Sequence, residues 1–121
     1  MCGRYALTLP PEAVRAAFGF VERPNFPPLY NIAPTQPVAI VRVARHADGL
    51  ARRHFALARW GFLPGFVKDP QDYPLIFNAR AETLAEKASF RNALRRRRCL
   101  FPADAYYEWR REPRQRGRPA R

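Results

Sequence analysis

Residues 36–60 read Gln-Pro-Val-Ala-Ile-Val-Arg-Val-Ala-Arg-His-Ala-Asp-Gly-Leu-Ala-Arg-Arg-His-Phe-Ala-Leu-Ala-Arg-Trp. Gln36 to Arg45 predicts a strand, with Val38, Ile40 and Val43 among its apolar positions. Ala47-Asp48-Gly49 is a turn, and Leu50 to Trp60 returns as a second strand. The pair is a hairpin, and it sets the frame for the rest of the chain. On the N-terminal side, Arg4 to Thr8 predicts a short strand. Pro10-Pro11-Glu12 opens a short helix, with Val14, Ala17 and Phe18 as its apolar stripe. Glu22 to Pro34 is rich in Pro and Asn and reads as a surface loop. On the C-terminal side, Gly61 to Tyr73 is a second loop and Leu75 to Ala81 is extended. Ser89 is the expected cap of a helix from Phe90 to Arg97, with Phe90 and Leu94 on one face. Arg98 to Phe101 and Ala105 to Arg110 are two further strands. The predicted class is α+β, a mostly antiparallel β-rich domain with short helices.

Composition limits the function classes. The 121 residues allow one small domain, and 47% hydrophobic content is enough for a core. Thirteen prolines argue for turns and extended segments over a helical bundle. The longest apolar runs are short, such as Pro37 to Val41, so no membrane span is predicted. Met1-Cys2-Gly3-Arg4-Tyr5-Ala6-Leu7 lacks the pattern of a secretory signal, and a reducing cytoplasm is the expected location. Net charge is +12, and every basic residue except Lys68 and Lys87 is arginine. That balance favours a polyanionic partner, nucleic acid first. Residues 110–121 are read as a basic tail without apolar anchor, expected to be disordered, behind a domain at 1–109. Cys2 and Cys99 form no Cys-x-x-Cys pair, and His46 and His54 are not spaced like a zinc site, so neither metal nor cofactor is expected.

Few residues suggest chemistry by themselves. Cys2 follows the initiator methionine, and removal of Met1 would leave an α-amine and a thiol on one residue. Such a residue can capture an aldehyde as an imine and close it to a five-membered thiazolidine. The amine, with a reference pKa of about 7.7 to 8.0, is substantially unprotonated near neutral pH. Cys99, between Arg98 and Leu100, reads as core. Glu108 lies among Tyr106, Tyr107 and Trp109, where partial desolvation would raise its pKa and suit it to shuttle protons, although the pattern alone fits an ordinary exposed strand glutamate better. Asn78 and Arg80 share a face of an extended segment, an amide beside a guanidinium, which suits a sugar hydroxyl beside a phosphate. Trp60, Trp109, Phe66, Pro34 and Pro64 offer stacking surfaces for unpaired bases, whereas Phe62 and Phe77 read as core. Arg95 to Arg98 is most simply a solvated helix end, where cations suit the negative pole of the dipole.

Taken in order, five motifs resemble the SOS response-associated peptidase (SRAP) family, the abasic site processing proteins. They are Met1-Cys2-Gly3-Arg4-Tyr5, Tyr30-Asn31-Ile32-Ala33-Pro34, Arg59-Trp60-Gly61-Phe62-Leu63-Pro64, Phe77-Asn78-Ala79-Arg80-Ala81-Glu82-Thr83, and Arg98 to Trp109. The resemblance implies a β-rich domain that binds single-stranded DNA at abasic sites. There the amino-terminal cysteine would capture the ring-opened sugar as a thiazolidine crosslink. It implies Cys2 as nucleophile, Asn78 as positioner of the opened sugar and Glu108 as proton shuttle. Arg4 and Arg80 would contact phosphates, Pro34 and Trp109 would lie near the bases flanking the lesion, and Asn31 and Trp60 would join the DNA-binding set. The peptidase in the family name fits release of Met1 by self-processing.

Two departures stand out. Family members often carry aromatics after the Trp-Gly motif, where this chain has Phe66-Val67. Family chains also continue past the Glu-Trp motif, with completing strands and a histidine that assists ring opening and crosslink reversal. The resemblance therefore covers only the N-terminal part of a family domain, and His46 and His54 cannot stand in for that histidine. Whether the chain is an enzyme, and its oligomeric state, stay open at this point. The rival readings are a non-catalytic basic protein that binds single-stranded nucleic acid, and a truncated, inactive remnant of the family.

Overall fold

A computed structural model describes residues 2–110. The chain is α+β. Strand β1 (Arg4–Leu7) leads into helix α1 (Pro11–Phe18), followed by β2 (Leu29–Ile32), the hairpin β3 (Pro37–Arg45) and β4 (Ala51–Arg59), helix α2 (Ala88–Arg96) and β5 (Ala105–Tyr107). β1 is the centre of a three-stranded antiparallel sheet ordered β2-β1-β5. Tyr5 pairs with both Ile32 and Tyr106, so one residue ties the amino terminus to both later motifs. The hairpin pairs in unbroken register from Pro37↔Arg59 to Arg45↔Ala51.

The core forms where the two sheets and α1 meet. Tyr5, Leu7, Val14, Phe20, Ile32, Val38, Val41 and Trp60 are buried in one cluster. Burying each aliphatic side chain contributes roughly 1.5 to 3 kcal/mol relative to leaving it exposed. α1 starts with Pro11 at its first position, carries Glu12 near its positive pole and buries Val14. Gly19 closes it in the left-handed region, at φ 67°, and donates its N–H to the Arg15 carbonyl. Gly61 follows Trp60 because a Cβ there would stand 2.8 Å from Leu75 Cδ1.

Two carboxylates fasten the sheets. Asp104 accepts hydrogen bonds from the Thr8 N–H, the Leu9 N–H and the Thr8 hydroxyl, joining the approach to β5 to the end of β1. Burial pushes its carboxyl up, but those donors outweigh burial and hold it below the ordinary value. Glu22 accepts from the Phe55 N–H at 3.1 Å and meets His54 Nδ1 at 2.7 Å, while His54 Nε2 lies 2.6 Å from His46 Nε2. The Phe55 N–H is the largest cause that brings Glu22 down from 4.5 to about 2. A depressed carboxylate stabilises the fold above its unfolded pKa and loses that contribution as pH falls. Stability should therefore decline as pH drops from 4.5 towards 2, and Glu22→Gln should flatten that decline. Urea unfolding midpoints recorded across this range check it; an unchanged slope for Glu22→Gln would assign the acid loss elsewhere.

The structure departs from the sequence reading at several elements. Glu22 to Pro34 is not all loop: Leu29–Ile32 is β2, because the β1 edge requires backbone partners and Leu29 and Ile32 supply the inward side chains. Leu75 to Ala81 makes only the isolated Phe62↔Ile76 bridge, and Ala81–Thr83 is a one-turn 3-10 helix. Arg98 to Phe101 contributes only the Val41↔Leu100 bridge, which joins it to the hairpin edge. α2 begins at Ala88 after Lys87, so Ser89 lies inside the first turn and faces the Tyr73 hydroxyl at 3.3 Å rather than capping. β5 ends at Tyr107, three residues short of the predicted strand end at Arg110. Within the tail, residues 111–121 lie outside the described part. No helix among the described residues is long and apolar enough to cross a membrane.

Candidate functional site

The sheet order decides what can meet the amino terminus. With β1 between β2 and β5, the residues just before β1, on outer positions of β2 and just after β5 converge at one end of the sheet. They line an open cleft of about 1000 Å³, which Gly3, Arg4, Asn31, Asn78, Glu108 and Trp109 share with Tyr30, Phe77 and Tyr107.

Cys2 precedes Gly3 of this lining and is half-buried against the core cluster. Its thiol donates to the Arg4 carbonyl at 3.3 Å. Asn78 Nδ2 donates to the Cys2 carbonyl at 2.9 Å, across 76 positions of sequence. Arg4 Nη1 donates to Asn31 Oδ1 at 2.9 Å, which fixes the guanidinium at the cleft wall. The Tyr107 hydroxyl donates to the Tyr30 carbonyl at 2.7 Å and fastens β5 to β2 across the cleft. Tyr5 is buried, its hydroxyl lacking a hydrogen-bond partner among the described residues. Burial first, and the nearby Cys2 charge second, push its pKa to about 12, so it stays a neutral phenol.

The cleft brings together Arg4, Asn31, Asn78, Glu108 and Trp109, and Cys2 is tied to it through the Asn78 hydrogen bond. Arg80 is exposed, two residues beyond Asn78, and its carbonyl starts the 3-10 turn outside the cleft lining. Pro34 is half-buried and also outside that lining. Three sequence expectations are corrected. Trp60 is only 8% exposed and packs edge-on against Tyr5 with ring centroids 5.2 Å apart, so it is core rather than a stacking face. Cys99 is exposed, although partial burial pushes its thiol above the ordinary value. Phe77, read as core, is 38% exposed and stands between the cleft and an adjoining apolar pocket of about 350 Å³.

Glu108 takes the exposed reading that its strand pattern favoured, and no aromatic enclosure forms around it among the described residues. Tyr106 is 71% and Trp109 94% exposed, and Glu108 itself is open to solvent. Glu108 and Trp109 lie beyond the end of β5, where strand alternation no longer holds their side chains over a sheet, and Tyr106 within β5 is on its open side. Sequence reasoning missed the Tyr30–Tyr107 fastening and the holding of Arg4 by Asn31. Neither partner pair is close in sequence, and only the sheet order reveals them. Among the described residues no group of three or more His, Cys, Asp or Glu side chains is placed to hold a metal ion.

A family model described as SOS response associated peptidase (SRAP) matches residues 1–120. The chain belongs to the SRAP family. Two relatives from Bacillus subtilis (strain 168), the abasic site processing proteins YoqW and YobE, are each 40% identical to this SRAP chain over 114 residues. The match takes in 92% of the chain, 49% of YoqW and 50% of YobE. The abasic site processing protein HMCES of Xenopus tropicalis is 31% identical over 134 residues, covering 93% of the chain and 40% of HMCES. The chain thus spans about half the length, or less, of these curated relatives. No solved structure matches it.

Proposed function

We propose that this SRAP chain processes abasic sites by binding single-stranded DNA in the cytoplasm and capturing the opened sugar through Cys2. The observation that carries the reading is that Arg4, Asn78 and Glu108 line one cleft and that Asn78 of this lining is bonded to the Cys2 carbonyl at 2.9 Å. The names of the relatives support the choice of lesion.

Release of Met1 frees the Cys2 amine. The amine lone pair attacks C1′ of the aldehyde, and a proton passes from nitrogen to oxygen to give a carbinolamine. Loss of water gives the imine. The thiolate then adds to the imine carbon, the nitrogen takes the proton the thiol gave up, and the thiazolidine closes. Asn78 holds the nucleophile's backbone and presents an amide to the opened sugar. Arg4, steadied by Asn31, neutralises a neighbouring phosphate, and Arg80 does the same outside the cleft. Glu108 sits at the mouth and can pass protons to and from water. Trp109 offers its face to a flanking base.

Intact mass spectrometry tests the reading. The chain is incubated with a single strand carrying one abasic site, then denatured. The expected species has the summed mass of protein and aldehyde strand less one water. Salt-sensitive binding without a covalent species would sink the crosslinking reading in favour of a non-catalytic strand binder, which the exposed Trp109 and Tyr106 also suit.

The phosphate roles make a separate prediction. Arg4→Gln and Arg80→Gln should each weaken binding to an intact single strand with little dependence on sequence. Each should flatten the slope of log affinity against log salt by about 0.7. Fluorescence anisotropy across a salt series measures it, and an unaltered slope would remove that arginine from the phosphate contacts.

A further inference from the structure

A second cationic surface lies away from the lesion cleft. A groove of about 480 Å³ runs between the end of α2 and the hairpin, walled by Arg42, Arg95, Arg96 and Arg98. Those four guanidiniums come from β3, α2 and the segment after α2, and they have no hydrogen-bond or ion-pair partner among the described residues. Arg53, also at this groove, is by contrast spent on the Phe18 carbonyl at 2.9 Å. No carboxylate among the described residues lines the groove. The α2 dipole accounts for Arg95 and Arg96 at its negative pole, but not for Arg42 or Arg98. Converging like charges raise the local potential and repel one another, and an anion laid between them relieves that repulsion.

We infer that this groove binds the phosphodiester backbone of DNA running beyond the lesion cleft. Its floor is aliphatic, with Val43 and Leu100 exposed and no aromatic ring among the described residues that line it. Bases therefore have nothing to stack on, and the groove reads phosphates without reading sequence. Cys99 lines both the groove and the apolar pocket, and Phe77 and Asn78 line both that pocket and the cleft, so the groove and the cleft are linked through shared residues. The inference rests on the proposed function only for choosing DNA over other polyanions.

The test uses the 121-residue chain and an intact fluorescein-labelled DNA strand, with RNA of the same sequence alongside. Because the probe lacks an abasic site, failure of the Cys2 chemistry does not touch the result, and a negative result here leaves that chemistry standing. Arg95→Gln combined with Arg98→Gln should weaken DNA binding on the order of tenfold near 0.1 M salt and reduce the salt slope by about 1.4. Arg95→Lys with Arg98→Lys keeps both charges and should keep the slope. As a charge-matched control, Arg45→Gln with Arg52→Gln alters the hairpin tip, where Arg45 meets the Gly49 carbonyl and Arg52 meets Asp48. The inference is overturned if the groove variant keeps the parent slope, if the tip variant lowers it equally, if the lysine variant loses as much as the glutamine one, or if the loss appears on RNA alone.

Discussion

Cys2→Ala is expected to abolish the denaturation-resistant adduct with abasic single-stranded DNA, while Cys99→Ala leaves its yield and rate at parental values. The contrast does not rest on exposure, since Cys99 is the more open of the two thiols. It rests on chemistry: ring closure needs an amine and a thiol two carbons apart, which only an amino-terminal cysteine supplies. Cys99 has its nitrogen in a peptide bond, and burial holds its thiol protonated. Retaining Met1, or acetylating the α-amine, should therefore act like Cys2→Ala although the thiol is untouched. Intact mass after heating reads all four proteins at once. A heat-stable adduct on the Cys2→Ala protein would refute the thiazolidine assignment. Loss of adduct with Cys99→Ala would move the nucleophile to the other end of the chain.

The hairpin was legible because its signal is local. Val38, Ile40 and the turn around Asp48-Gly49 lie within one window, and the register follows from the turn, although Val43 of the same pattern is exposed and Val41 is buried instead. β1 and α1 were legible for the same reason, α1 through Pro11, Val14 and Phe18. β2 was not. Pro27 and Pro28 mark a loop, and Tyr30 and Asn31 point outward, so nothing in the segment itself demands a strand. The demand comes from the open edge of β1, a long-range partner that no local pattern records. Leu100 illustrates the opposite error: an apolar stretch promised a strand, yet a single bridge to Val41 satisfies it. The site divides similarly. Its members came from ordered motifs, but the cleft itself follows from β1 lying between β2 and β5. Trp60 and Phe77 exchanged roles because burial of an aromatic depends on which sheet face closes over it, and here Tyr5 closes over Trp60.

Asn78→Ala should slow crosslinking more than Glu108→Gln does, and the geometry sets the order. Asn78 is half-buried and donates to the Cys2 carbonyl, so it fixes the backbone from which both reacting groups of Cys2 project. Releasing that bond lets amine and thiol drift relative to the sugar, and a misplacement of about 1 Å costs on the order of 10²-fold in rate. Glu108 is exposed, where bulk water competes as a proton carrier, so its amide variant should lose no more than about tenfold. Single-turnover time courses with saturating abasic strand give both numbers. A positioning role is separated from a folding one by iodoacetamide. Alkylation of Cys2 needs no sugar to be positioned, so it should proceed at the parental rate in Asn78→Ala. Asn78→Asp provides the stricter comparison: it keeps the shape but loses the donor to the Cys2 carbonyl, and should be nearly as slow as alanine. If Asn78→Asp crosslinks at the parental rate, the 2.9 Å hydrogen bond is incidental to the chemistry. If Glu108→Gln proves the slower variant, the carboxylate must become enclosed when DNA covers the cleft, with Trp109 closing over it.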